Sequence, residues 1–117
     1  MNLIEHFREA VRERAAGKPC PHPHGDGTWT EMDTIAVRYF IPEDLRKVYW
    51  ATRQQKWLEA YQTTSGLLER LHHLPYLWRL PETLRVNKYE SIPMEEAIAT
   101  ALNARANYMA SIGKRGA

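Results

Sequence analysis

The chain has 117 residues, 44% of them hydrophobic and 26% charged, with sixteen basic against fourteen acidic side chains for a net charge of +2. This size and balance fit a single domain over residues 1–117. They exclude a collagen-like or generally disordered chain, and no apolar run approaches the ~20 residues that cross a bilayer, so no membrane partner is expected.

Asn2 can cap a first helix, with Glu5 three residues on. Leu3, Ile4, Phe7, Val11 and Ala15 then recur on one face, and Glu5–Arg8 and Glu9–Arg12 are spaced as i,i+3 ion pairs. Gly17-Lys18-Pro19 is a stop signal, so the helix covers residues 2–16. The alternating Glu and Arg of this segment do not make the apolar stretch of a signal peptide. Residues 17–29 hold three prolines and three glycines and predict a loop, long enough to be functional or mobile. Residues 30–41 fit a helix through Met32, Ile35, Ala36, Tyr39 and Phe40, capped by Thr30. The alternation Ile35, Val37, Tyr39, Ile41 keeps a strand open, with helix preferred.

Pro42-Glu43-Asp44 opens the next helix, with proline in the first turn and acids at the positive end of the dipole. Its pattern runs to about Gln62, and Thr63-Thr64-Ser65-Gly66 predicts a break and a new cap. Leu67, Leu68, Leu71 and Leu74 make a short helix ending at Pro75, after which residues 75–92 predict extended chain or a single turn. Leu84–Tyr89 reads as a strand that needs a mate. A final helix starts at Ser91 or Ile92 and ends at Gly113, with Met94, Ile98, Ala101, Leu102, Met109 and Ile112 on one face. The fold class is therefore mainly α, a compact bundle of four to five helices with room for one short hairpin. Leu3, Phe7, Val11, Ile98, Leu102 and Met109 are the shared core of its first and last helices.

Charge is unevenly distributed. Residues 1–45 carry five basic and eight acidic groups, whereas residues 46–94 carry eight and four, together with three of the four tryptophans and four of the six tyrosines. On one long helix Arg46, Trp50, Arg53 and Trp57 would line a single strip, with Tyr49 beside it. Tyr76, Trp78 and Arg79 would widen the patch. Trp, Tyr and Arg are the residue types most enriched at binding hot spots. The expected function is thus a small non-enzymatic adaptor or inhibitor that docks this surface onto a protein partner, which can equally be a second copy of the chain. The same aromatic residues could instead be core, with the arginine stems packed along them.

Two other chemistries remain open. A nucleic acid could use Arg46, Lys47, Arg53, Lys56, Arg79, Arg85 and Lys88 of segment 46–88 for phosphates, with a steep salt dependence. Cys20, His22, His24 and Asp26 are zinc-type ligands at alternate positions in a proline-stiffened loop. The only further histidine pair is His72-His73, and a solvated loop explains the same residues. Glu69-x-x-His72 has the spacing of di-iron bundles, but the second such motif is missing. Cys20 is the lone cysteine, which excludes an internal disulfide and suits a reducing cytoplasm. No assembled nucleophile, base and oxyanion hole is visible, so no catalytic residue and no cofactor other than the alternative zinc is expected.

Overall fold

The computed structural model describes residues 2–24 and 27–116, the last three by backbone alone. These residues form five helical runs and one hairpin. Helix α1 (Leu3–Ala15) is followed by a continuous run made of α2 (Glu31–Ile35), a π-helical segment (Ala36–Phe40) and α3 (Ile41–Arg53). Then come α4 (Trp57–Leu71), α5 (Leu74–Arg79), strands β1 (Thr83–Arg85) and β2 (Ser91–Pro93), and α6 (Met94–Gly116). The strands pair antiparallel, Leu84 opposite Ile92, so Ser91–Pro93 is the mate that Leu84 required. No helix among the described residues is long and apolar enough to cross a membrane.

The core forms where α3, α4 and α6 pack on one another, with α1 and α5 closing one side. Ile41, Leu45 and Val48 of α3, Leu67 and Leu71 of α4, and Met94 and Ile98 of α6 are fully buried. Ala97, Ala101 and Ala104 are buried too, and their small side chains let α6 approach its neighbours closely. Leu3 and Phe7 join this core and Val11 packs against it, as expected. Leu102, Met109 and Ile112 do not join it. They are 37%, 49% and 43% exposed, because the buried seam of α6 runs through Ala97, Ala101 and Ala104, and Leu102 lies about 100° round the helix from Ala101.

Asn2 caps α1 by accepting from the Glu5 amide at 2.9 Å, and Glu9 pairs with Arg12 as its spacing predicts. Arg8 pairs with Glu95 of α6 rather than with Glu5, tying the first helix to the last. The segment 30–41 is helical, but its buried face is rotated from the expected one, with Ala36 common to both. Asp33, Ala36 and Val37 turn inward while Met32 and Tyr39 stay 62% exposed. A buried carboxylate cannot be recognised by a hydrophobic periodicity. The π segment is explained by Pro42. It has no amide hydrogen to give the Arg38 carbonyl, and its ring crowds that carbonyl in a regular helix. The chain widens by one residue instead, and the Ile41 amide bonds to the Ala36 carbonyl, five residues back.

The predicted helix from Pro42 to about Gln62 is in fact two helices, and the predicted break at Thr63–Gly66 is helix interior. The Thr63 and Thr64 hydroxyls donate back to the Glu59 and Tyr61 carbonyls at 2.9 and 2.7 Å, which accommodates both in the helix. The break falls at Gln54–Lys56. There Gln55 adopts φ 59°, the Lys56 amide bonds to the Ala51 carbonyl at 2.8 Å, and the Gln55 amide to the Thr52 carbonyl at 3.1 Å. This is a complete Schellman ending with glutamine where glycine is usual. Pro75 also changes role, since α4 ends at Leu71 and Pro75 lies in the first turn of α5. Residues 74–79 consequently form a six-residue helix, nearer the single-turn alternative than extended chain, with Leu77 and Leu80 buried.

Gln55 has a left-handed backbone that a side chain disfavours, whereas glycine adopts it freely but is more flexible when unfolded. Gln55→Gly is expected to stabilise the fold by about 0.5–1 kcal/mol. In urea unfolding the midpoint should rise with an unchanged slope.

Candidate functional site: an arginine-lined pocket buttressed by Asp33

The end of α1, the loop after it, the π segment and α5 enclose a cavity of about 350 Å³. Three arginines line it: Arg14 from α1, Arg38 from the π segment and Arg79 from α5. The indoles of Trp29 and Trp78 form walls, and Val37, Thr34 and Cys20 complete the lining. No carboxylate lines the cavity among the described residues.

Two of the cations are fixed by neutral groups. Arg14 Nη1 donates to the Trp78 and Leu80 carbonyls, both at 2.9 Å, which are end carbonyls of α5 without helical partners. Arg79 Cζ lies over the Trp29 ring, 3.8 Å from its centroid. Trp29 is held in turn by a 3.3 Å hydrogen bond from its indole to the Pro21 carbonyl. Trp78 is 8% exposed, and its indole donates to Glu13, whose carboxylate also faces Lys18 at 3.9 Å. Arg38 is exposed on the widened turn and has no carboxylate partner among the described residues. The pocket therefore holds guanidinium charge in place without neutralising it.

Behind this wall lies Asp33, which is 4% exposed. Its Oδ2 accepts from the Thr30 amide at 2.8 Å, the Thr30 hydroxyl at 2.9 Å and His24 Nε2 at 2.8 Å. Its Oδ1 accepts from the Tyr76 hydroxyl at 2.6 Å. Burial disfavours the charge, but these donors together outweigh it and hold the carboxyl well below the usual carboxylate range. Tyr76 responds oppositely: burial, then the bond to the Asp33 carboxylate, push its hydroxyl up to about 12. One carboxylate thus joins the N-terminus of α2, the proline loop and α5. The rings of Trp29 and His73 lean on Tyr76 at centroid distances of 6.0 and 4.6 Å.

The eight residues expected to bind a partner are divided among separate places. Tyr76, Trp78 and Arg79 belong to the pocket or its buttress. Arg46, Tyr49, Trp50 and Arg53 sit on α3 and face the hairpin. The Trp50 indole donates to the Val86 carbonyl at 2.8 Å, Arg46 Nε to the Arg85 carbonyl at 2.6 Å, and Arg53 to the Tyr49 hydroxyl at 3.1 Å. Trp57 starts α4 beyond the Gln54–Lys56 ending and is half-buried, so Arg46, Trp50, Arg53 and Trp57 do not form one helical strip.

Of the expected zinc ligands, Asp26 lies outside the described residues. His24 is engaged with Asp33, the Cys20 thiol donates to the Pro21 carbonyl at 3.3 Å, and His22 is exposed beside Gly27. Among the described residues no three His, Cys, Asp or Glu side chains are grouped to hold a metal. Sequence reasoning missed Arg14, Arg38, Trp29 and Asp33 as site residues. Only the Thr30–Asp33 capping box carried a signal, and it does not disclose burial. Comparison with protein-family models, curated proteins and solved structures finds no match to this chain.

Asp33→Asn removes the charge while keeping the shape, and is expected to cost roughly 1–3 kcal/mol at neutral pH. The folded carboxyl titrates below the unfolded value of about 3.9, so its contribution is complete above that pH and disappears as the pH falls through the folded value. Thermal melts between about pH 5 and pH 2 should therefore show a shallower acid decline for Asp33→Asn than for the unaltered chain. Identical declines would mean that Asp33 carries no depressed titration.

Proposed function

We propose that the protein is a small non-enzymatic docking module, an adaptor or inhibitor in kind, that captures an anionic group of a protein partner in the Arg14–Arg38–Arg79 pocket. The observation that carries this reading is the set of three arginines lining one cavity with no acidic residue in its lining among the described residues. Guanidinium forks match carboxylate and phosphate oxygens, and preformed donors bind them with little reorganisation. The indole walls suit the apolar stem or ring that carries such a group.

A protein partner is favoured over a free small anion by exposed apolar side chains on the helical run that carries Arg38. Met32 and Tyr39, each 62% exposed, lie on the same helical run as Arg38, and Phe40 follows at 41%. A segment whose acidic or phosphorylated residue enters the pocket can cover these side chains with its flanks. The docking surface is therefore an Arg/Trp/Tyr surface, as the composition suggests, but built around α5 and the π segment. The engagement of His24 with Asp33 and of the Cys20 thiol with a carbonyl supports a binding role over nucleophilic catalysis.

The test is a peptide array carrying glutamate-rich, phosphoserine and free C-terminal carboxylate sequences with apolar flanks, against amidated neutral controls. The protein should retain anionic sequences selectively. Arg38→Ala and Arg79→Ala should each weaken retention roughly ten-fold or more, as loss of a hydrogen bond between charged groups implies. Arg105→Ala, on the exposed side of α6, should have no effect. Equal retention of neutral and anionic peptides, or full retention by both pocket variants, would refute the reading.

A further inference from the structure

The hairpin and α3 form a second cationic surface, separate in its residues from the pocket. Arg46, Arg85, Val86, Asn87 and Lys88 enclose a shallow recess of about 530 Å³, with no carboxylate in its lining among the described residues. Lys47 adjoins it, lining the next recess along α3. The surface is rigidly built. Arg46 and Trp50 each donate to a hairpin carbonyl, and the tip is closed by Val86 and Asn87 amides bonding to the Glu90 carbonyl at 3.0 and 3.4 Å. Arg85 donates to the Lys88 carbonyl at 2.8 Å, and the Tyr89 amide to Asn87 Oδ1 at 2.8 Å.

Tyr89 stands at the tip with 89% of its surface exposed and the Lys88 ammonium 5.6 Å from its ring centroid. The fold gains nothing from burying this ring, which projects from a hydrogen-bonded tip. Glu90 faces the Tyr49 hydroxyl at 3.4 Å, and Glu43 and Glu59 share the adjoining recess with Lys47, so the lining without carboxylates is that around Arg46, Arg85 and Lys88. Cations around a recess without carboxylates, with an exposed aromatic ring at the adjacent hairpin tip, match a chain of phosphates that carries unstacked bases. The geometry points to a binding surface for single-stranded nucleic acid, in which Arg46, Lys47, Arg85 and Lys88 contact phosphates and Tyr89 stacks on one base. A duplex would present phosphates but no free base face to Tyr89. An acidic protein would use the cations and leave the ring idle.

The experiment is fluorescence anisotropy with labelled oligouridine and oligothymidine of about 12 nucleotides, a duplex of equal length, and polyglutamate. Both single strands should bind, more tightly than the duplex or polyglutamate, and should weaken steeply from about 50 to about 200 mM salt. Lys47→Ala and Lys88→Ala should each lower the log–log salt slope by about 0.7. Tyr89→Ala should weaken binding roughly ten-fold with the slope unchanged. All three side chains are exposed, so folding should be unaffected. Arg38→Ala and Arg79→Ala should leave oligonucleotide binding intact, which separates this surface from the pocket. Absence of binding, indifference to Lys88→Ala and Tyr89→Ala, or preference for the duplex or polyglutamate would overturn the proposal.

Discussion

The buried carboxylate of Asp33 is the interaction on which the pocket depends. Among the described residues it is the one buried acidic side chain, and it is stabilised by donors from three chain segments. An isolated buried charge would be very costly, and a neutral carboxyl would lose acceptor capacity. The fold therefore holds Thr30, His24 and Tyr76 together around it. That convergence fixes a proline- and glycine-rich loop against α5, although loops of such composition have little order of their own. Trp29 is placed beneath Arg79 as a consequence, and the aromatic wall of the pocket follows.

Pro42 supplies the second constraint. By denying the Arg38 carbonyl its helical partner, it widens the turn and rotates Val37 and Arg38 relative to a regular helix. Val37 is buried beside the cavity, Arg38 faces it, and Tyr39 and Phe40 are turned outward. Arg14 adds the third element by capping the end of α5 across the molecule. Its guanidinium holds the end of α5 where Arg14 borders the cavity. The surface with the clearest capacity for recognition thus arises from local irregularities: a helix end, a widened turn and a loop tied by a carboxylate.

Much of the architecture is legible in the sequence. The helical class, α1 with its Asn2 cap and Gly17 stop, and the 17–29 loop carry local signals of known physical origin, whereas α6 starts only at Met94 because Ser91–Pro93 pairs as a strand instead of capping it. The failures are equally specific. Gln55 occupies a left-handed position that glycine or asparagine would have announced, so one helix was expected where two exist. Thr63 and Thr64 suggest a cap by composition, yet satisfy their hydroxyls inside a helix. Pro75 fits an end or a beginning equally well. The site was harder to see, because its arginines come from positions 14, 38 and 79 and meet only through tertiary packing. The aromatic strip, by contrast, was visible in composition and is largely used inside the molecule, where Trp50 anchors the hairpin and Trp78 is buried.

The four tryptophans report on this account independently, since Trp29 and Trp78 line the pocket while Trp50 lies at the hairpin and Trp57 at the start of α4. The most direct measurement is an indole N–H correlation spectrum recorded while an acidic peptide with apolar flanks is added. The expected result is movement of the Trp29 and Trp78 signals together, with Trp50 and Trp57 stationary. Movement of Trp50 or Trp57 while Trp29 and Trp78 stay in place, or no movement of any signal, would contradict it.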